Sequence, residues 1–338
     1  FIINQIQEVT VLKIKKISAL IIAVIMLLSF ASCTIGDKTP KATNTQINIT
    51  MLKGPTGIGA VKLMSDSDAG NTLNKYTFSL SSDPTDISGG IVNGSIDIAA
   101  CPLNLASVLY KKTNGNVQML AINTLGTLYI VSKDQTITKL ADLDGKTIVT
   151  AGQGATPEYV LNYLLEKNGL TDKVTVEYKS EHAEVATLAL SGEADTVLLP
   201  EPNVTAVLSK SDSFAVAVDL SKEFENVSGV SLAMGCIIAR KDFIENNKAA
   251  VDAFLYEYKN SIEYVANDID GASSLCEAYG IIPKAAVAKK AIPNCHISYL
   301  SGEDMKKTAN ENLTVLFNAN PSSVGGELPK DDFWYNEK

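Results

Sequence analysis

Arginine is almost absent from this chain: of 29 basic residues, only Arg240 is an arginine. Anionic ligands are commonly gripped by the bidentate arginine fork. A pocket here therefore has to rely on lysine, hydroxyls and backbone N–H groups. Histidine is nearly as scarce, with only His182 and His296, and there is no Cys-x-x-Cys pair. That argues against a zinc site and leaves few bases for a catalytic triad. Trp334 is the single tryptophan and lies near the carboxyl end, so a cleft elsewhere has no indole platform. Positive charge is in deficit as well. The formal net charge is −9, and it becomes −11 once the slightly basic first 32 residues are set aside. A body this acidic is a poor partner for nucleic acid, whose affinity comes from clustered Lys and Arg.

Enzymatic motifs fail on inspection. "DLDGKTI" contains Gly145-Lys146-Thr147, but Leu140 stands where a P-loop needs its first glycine. "GVSLA" (Gly229–Ala233) ends in alanine where a nucleophile elbow needs glycine. His182 reads as a helix start and His296 lies in the irregular "IPNCHIS", so neither is placed as a catalytic base.

What is present is a chain of 338 residues, 46% hydrophobic, long enough for two ordinary domains with their own cores. Its start, "KIKKISALIIAVIMLLSFASC", is basic, then apolar from Ile17 to Phe30, then small up to Cys33. This is the order of a secretory signal and too short for a comfortable membrane span. Phe30-Ala31-Ser32-Cys33 resembles a bacterial lipoprotein cleavage box, which implies a signal peptide over 1–32 and a lipid on Cys33. Phe30 departs from the usual leucine, and simple secretion is the alternative. A translation start at Val11 or Leu12 is expected, which makes residues 1–10 upstream sequence. Residues 33–46 read as a polar tether.

With Cys33 lipidated, Cys101, Cys236, Cys276 and Cys295 remain, and four cysteines allow three pairings. Cys101 and Cys236 sit in apolar strand-like runs and read as buried free thiols. Cys276 and Cys295 are left open, as free thiols or as a bridge in an oxidising compartment.

The body repeats itself. "NGSIDIAACPLN" (Asn93–Asn104) returns as "SGEADTVLLPEPN" (Ser191–Asn203), with Gly94, Asp97 and Pro102 recurring as Gly192, Asp195 and Pro200 at an offset of 98. Gly54 maps to Gly152 at the same offset, each after a β-branched run and before a stretch of roughly helical apolar spacing. "YTFSL" maps to "VTVEY", both alternating as strands do. Each half reads βαβαβ, the order of a parallel sheet with crossover helices. "TLYIVSKD" (Thr127–Asp134) and "GCIIARKD" (Gly235–Asp242) are paired apolar strands that suit connections between the halves. The expected layout is lobe one over 47–125 and 236–338, lobe two over 126–235, and crossovers near 124–132 and 228–240. After the second crossover, Val251, Phe254, Leu255, Tyr258, Ile262 and Val265 fall on one helical face.

In open parallel α/β sheets, ligands gather at the carboxyl ends of the strands. Lobe one offers Lys53, Gly54, Pro55, Thr56 and Gly57, then Pro102 and Asn104, with Asn123 entering the crossover. Lobe two offers Gly152, Gln153, Gly154 and Thr156, with Thr156 as the expected N-cap of a helix beginning at Pro157. Glu201, held between two prolines after an apolar strand, is the carboxylate placed to meet a ligand amine. A solvated loop acid or a cross-lobe salt bridge is the competing reading. Tyr129 and Tyr159 are the candidate stacking residues, and for the glycine loops simple turn formation competes. The ligand expected is a small neutral or amine-bearing molecule, with a heterocycle among the options.

Together "NGSIDIAACPLNLAS", "ADLDGKTIVTAGQGATPEYVL", "LLPEPNVTAVL" and the closing "PSSVGGELPKDDFWY" resemble solute-binding lipoproteins of ABC importers. The branch is the one grouped with nitrate, sulfonate/taurine and thiamine-precursor binding proteins. The resemblance implies the type II periplasmic-binding-protein fold, α/β with two lobes. Each lobe is a mostly parallel sheet flanked by helices, and a two-strand hinge joins them. It implies that the loops at Gly54–Gly57, Pro102–Asn104, Gly152–Thr156 and Glu201 line the cleft. It also implies a lipid-anchored, extracytoplasmic capture protein without a cofactor, serving a membrane permease and a separate ATPase; a monomer is expected. An enzyme on the same fold, as in some menaquinone-pathway proteins, and a ligand-sensing receptor subunit are the alternatives. The Cys-rich stretch of the related thiamine-pyrimidine synthases is absent.

Overall fold

The computed structural model describes residues 39–336. The expected signal peptide and Cys33 lie outside the described residues. Pro40 onward forms one compact unit, and the strand–helix alternation expected from the sequence runs through it. The first half comprises β1 (Gln46–Leu52), α1 (Pro55–Ile58), α2 (Val61–Asp68), β2 (Lys75–Ser81), α3 (Pro84–Asn93), β3 (Ile98–Pro102), α4 (Leu103–Lys112) and β4 (Val117–Leu125). The chain then enters the second half through β5 (Leu128–Ser132), followed by β6 (Thr147–Ala151), α5 (Thr156–Lys167), β7 (Thr175–Lys179) and α6 (His182–Ser191). That half continues with β8 (Thr196–Pro200), α7 (Asn203–Leu208), β9 (Ala215–Asp219) and α8 (Leu220–Ser228). The return strand β10 (Ala233–Arg240) leads to α9 (Lys241–Asn246), α10 (Lys248–Asn267), α11 (Ile269–Ala278) and α12 (Ala285–Ala291). Strand β11 (Ile297–Leu300) and α13 (Gly302–Ala319) follow.

Two separate sheets result, ordered β11-β4-β10-β3-β1-β2 and β7-β6-β8-β5-β9. Read from the edge inwards, both follow one plan: second strand, first, third, crossover strand, fourth. The crossover strand is antiparallel to its neighbours in each sheet, β10 against β3 and β4, and β5 against β8 and β9. Each lobe is therefore completed by a strand reached through the other lobe's connection. Apolar clusters cover both faces of both sheets. The six apolar residues predicted on one face of α10 are all buried against the first sheet. Each such side chain contributes about 1.5–3 kcal/mol on full burial.

The repeat is visible in backbone angles. Gly54 and Gly152 share positive φ (86° and 83°), and Gly94 and Gly192 end α3 and α6 in the left-handed region (81° and 87°), where glycine avoids a Cβ clash. Three local expectations need correction. The helical stretch after Gly54 breaks at Gly59, where a Cβ would stand 2.8 Å from the Tyr258 hydroxyl of α10. Helix α5 begins at Thr156, with Ala155 rather than Thr156 as its N-cap. The tether reading ends too late, because Thr43 and Asn44 already bond to the Leu73 carbonyl and β1 starts at Gln46. All four remaining cysteines are buried free thiols, so the structure holds no Cys276–Cys295 bridge.

The ends of the crossover strands repeat with unequal chemistry. Arg240 N bonds to the Asp97 carbonyl and its guanidinium sits 2.9 Å from the Asp97 carboxylate, their side chains 17% and 9% exposed. At the matching place Lys133 N bonds to the Asp195 carbonyl and its ammonium lies 3.1 Å from an Asp195 side chain that is 73% exposed. Removing one partner from a largely buried pair strands the other charge, whereas an exposed pair is screened. Arg240→Ala is thus expected to cost about 3 kcal/mol and Lys133→Ala less than about 1 kcal/mol in urea unfolding. Equal losses would show that burial does not separate the two pairs.

Candidate functional site

The two crossovers decide where a site can be. β4 ends at Leu125, and three residues later Leu128 pairs with Pro200 at the carboxyl end of β8. On the return, Ala233 pairs with Leu125 and Gly235 with Pro102 at the carboxyl end of β3. Both connections therefore join the carboxyl ends of the two sheets, and the strand-end loops of both lobes adjoin. Gly126 sits where the crossovers pass, since a Cβ there would lie 2.3 Å from the Ser221 side chain and 3.2 Å from Leu232. Lobe one grips each crossing. His296 accepts from Leu125 N at its carbonyl (3.1 Å) and meets the Gly126 carbonyl through Nδ1. Asn312 accepts from Ala233 N (3.0 Å) and donates to the Ser231 carbonyl (3.0 Å).

In lobe one, Gly54 adopts φ 86° and ψ −157°, and Lys53 before it is exposed. Pro55 and Thr56 open α1, and Gly57 packs so closely that a Cβ would meet the Leu52 carbonyl at 2.3 Å. Asn123 is 1% exposed, and its amide donates to the Thr56 carbonyl (2.8 Å) and the Tyr258 hydroxyl (2.9 Å). Asn123 holds the glycine loop from beneath. The Asn104 amide turns toward the Ser323 carbonyl (3.3 Å), while Pro102 ends β3 half-buried.

In lobe two, Gln153 and Gly154 are exposed and Thr156 is buried. The Gly154 N–H donates to the Glu158 carboxylate, which therefore occupies the position an anionic ligand group would take at this loop. The Tyr178 hydroxyl, pushed up to about 12 by burial and then by the same carboxylate, also bonds to it. Glu201 is 2% exposed, and its two oxygens accept from Thr205 N (3.1 Å) and Thr205 Oγ1 (3.0 Å). Burial pushes its carboxyl above the usual range, against opposing bonds from Thr205 and the Asn294 side chain and the charge of His296. Burial chiefly, then Asp219 and Glu201, raise the nearby Tyr129 phenol.

Two cavities open along the seam between the lobes, on opposite faces of the second sheet. One of about 310 Å³ brings Tyr129 and Glu201 together with Thr205, Ser209, Lys290 and Asn294. The other, about 740 Å³, sets Gln153, Gly154, Glu158 and Tyr159 against Asn318 and Asn320 at the end of α13. Contacts cross the seam at both: Lys290 Nζ to Ser209 Oγ at 3.4 Å, and the Asn320 amide to the Tyr159 hydroxyl at 3.3 Å. Of the expected site residues only Tyr129, Gln153, Gly154, Tyr159 and Glu201 line either cavity; Lys53, Gly54, Pro55, Thr56, Gly57, Pro102, Asn104, Asn123, Gly152 and Thr156 line neither. Sequence reasoning missed Lys290, Asn294, Asn318 and Asn320. The one signal for Asn294, Asn318 and Asn320 is polar residues beside proline in "IPNCHIS" and "NANPSS", stretches that look like mere irregular structure; Lys290 has none. A further cavity of about 580 Å³ lies over β1 and β2 beneath α3, lined by hydroxyls and amides such as Asn48, Thr77 and Ser79. Among the described residues, no cluster of His, Cys, Asp and Glu could hold a metal ion, and no helix is long and apolar enough to cross a membrane.

A family model described as NMT1/THI5 like matches residues 82–272, more than half of the chain, and the chain belongs to that family. Solved structures share the fold. An ABC transporter protein from Parabacteroides distasonis aligns at 23% identity over 87% of this chain and all of that one, with a TM-score of 0.74. The periplasmic aliphatic sulphonate binding protein of Escherichia coli aligns at 13% identity over 87% and 94% of the two chains, TM-score 0.68. The periplasmic nitrate-binding protein of Synechocystis PCC 6803 aligns at 11% identity over 84% and 85%, TM-score 0.59. No curated protein matches the chain significantly by sequence.

His182 starts α6 at the strand-end side of lobe two, as expected, and its Nδ1 is buried without a hydrogen-bond partner. Burial alone lowers its pKa from 6.5 to about 4. As pH falls through that window the unfolded chain takes a proton that the folded chain refuses, so stability is intact above the unfolded value and is lost toward pH 4. His182→Gln should flatten that loss by on the order of 2 kcal/mol in urea unfolding at fixed pH values. An unchanged slope would mean that the imidazole is hydrated in the folded state.

Proposed function

We propose, starting from the membership of this chain in the NMT1/THI5-like family, that it is the extracytoplasmic solute-binding protein of an ABC importer, anchored by a lipid on Cys33. It captures a small molecule between its lobes and delivers it to a membrane permease driven by a separate ATPase. The observation that supports this reading is the crossover geometry: both connections join carboxyl ends of the two sheets, an arrangement that suits glycine loops at Gly54 and Gly152 facing one cleft. Hinged closure is then a shift of population toward the state in which both lobes touch the solute. The residues proposed to meet it are the Lys53–Gly57 loop with Asn123 beneath it, Pro102 and Asn104, and Tyr129. From lobe two come Gly152, Gln153, Gly154, Thr156 and Glu201.

The solute proposed is neutral or amine-bearing, including heterocycles. The relatives above are named for sulphonate and nitrate, but the groups that suit such anions are placed elsewhere here. Arg240 is bound to Asp97 and Asp242 at the amino ends of the lobe-one strands, and Glu158 already fills the Gly154 N–H position. A protonated amine could replace the Thr205 bonds of Glu201 with a stronger charge-assisted one.

The test is thermal unfolding of residues 39–338 against amino-pyrimidines, nucleobases, amino acids, sulfonates and small anions. The true solute should add about 2.7 kcal/mol of stability at a hundredfold excess over Kd. For an amine-bearing solute, Glu201→Gln should weaken binding at least about tenfold, the usual worth of a charged hydrogen bond. Unliganded stability at neutral pH should hold or rise, because the carboxyl pKa is raised in the folded state and ionisation there opposes folding. Unchanged affinity would remove Glu201 from the site, and stabilisation by sulfonates alone would overturn the assigned solute class.

A further inference from the structure

The proposed function uses none of the four buried thiols, yet two of them are neighbours. Cys101 on β3 and Cys236 on β10 stand directly opposite each other in the antiparallel register. Opposed residues of such a pair put both side chains on one face with Cα atoms about 4.5–5.5 Å apart. That is inside the roughly 4.4–6.8 Å range a disulfide requires. Both side chains are fully buried in the same apolar cluster, among residues of α4 and α13. The Cys236 thiol donates to the Cys101 carbonyl oxygen at 3.6 Å. The neighbouring Gly235 sits at a register shift between β10 and β4, so this end of the strand already departs from a regular ladder. Cys276 on α11 and Cys295 after α12 also stand near each other in the other cluster of lobe one, but no strand register sets them opposite each other.

We propose that Cys101 and Cys236 form a disulfide across β3 and β10 as the chain folds in an oxidising compartment, and that Cys276 and Cys295 stay reduced. Each thiol gives up its proton, one S–S bond forms, and the two electrons reduce a disulfide of low molecular weight to two thiols. Exchange proceeds through a thiolate, and both sulfurs are sealed in the native core. Oxidation therefore takes place before β10 docks on β3, after the whole of lobe two has been made. The bond ties the return strand from lobe two to the strand that carries Pro102 and Asn104, and so fastens the cleft floor to the crossover.

The full chain, reduced and denatured, would be refolded with a mixture of oxidised and reduced glutathione or with reductant alone. Native material would be recovered by size exclusion, its thiols blocked in denaturant, and its peptides mapped by mass. Linked Cys101 and Cys236 peptides should dominate after oxidative refolding and be absent under reductant. Native reduced protein given the same oxidant for the same time should yield at least tenfold less. Free Cys101 and Cys236 in oxidatively refolded native protein, or a Cys276–Cys295 bond in their place, would overturn the assignment. Equal yields from native and refolding protein would overturn the order of events.

Discussion

The close passage of Gly126 past Ser221 is the constraint on which the cleft depends. The chain leaves lobe one and re-enters it at the same place, and at Gly126 only a residue without a Cβ fits against Ser221 at the start of α8 and Leu232 of the returning segment. Because each crossing supplies the antiparallel strand of one sheet, neither lobe is complete without the other's connection. The two sheets share both crossings, while Tyr159 of α5 packs into a lobe-one cluster and Val315 of α13 against a lobe-two cluster; closure would bend the chain at a joint of a few residues in the crossings. His296 and Asn312 fix the lobe-one side of that joint through backbone bonds to both crossings. Their positions make the joint a property of lobe one, about which lobe two would turn.

Polar groups at the seam divide into those that build the site and those that remain for a ligand. Asn123 is spent on the loop above it, and Glu158 on the loop before its own helix. Glu201 is different. It is buried, holds two bonds from one threonine, and carries a carboxyl whose ionisation its surroundings oppose. With hydrogen bonds from Thr205 and Asn294 but no ion pair, this buried carboxylate is under-compensated, and a cation entering the cavity beside it would relieve that cost.

Much of the fold was legible because it rests on residues with few substitutes. Glycines at positive φ, an aspartate three residues after each helix-ending glycine, and one apolar face along α10 are written directly in the sequence. The one-arginine economy also read correctly, with Arg240 at the far end of its strand. What stayed hidden depends on partners remote in sequence. Tyr258 of α10 approaches Gly59 too closely for a Cβ, and Asn294 and Lys290 reach Glu201 and Ser209 across the seam from segments that look like ordinary loop and helix end. The pairing of Cys101 with Cys236 needs a strand register, which composition and spacing do not specify. Thr156 was displaced from the N-cap by one residue because Ala155 already has extended backbone there.

Closure of the two lobes on a solute about the Gly126 joint would change the distance across the cleft. Ser82 and Ser180 are related by the 98-residue offset, are both exposed, and follow the carboxyl ends of the edge strands β2 and β7, one in each sheet. Spin labels at Ser82→Cys and Ser180→Cys report the distance across that mouth by pulsed electron resonance. Closure should give a broad distribution without solute that narrows and shortens at saturation. A distribution unchanged at saturating solute would mean that the lobes bind without closing, and would contradict the hinge.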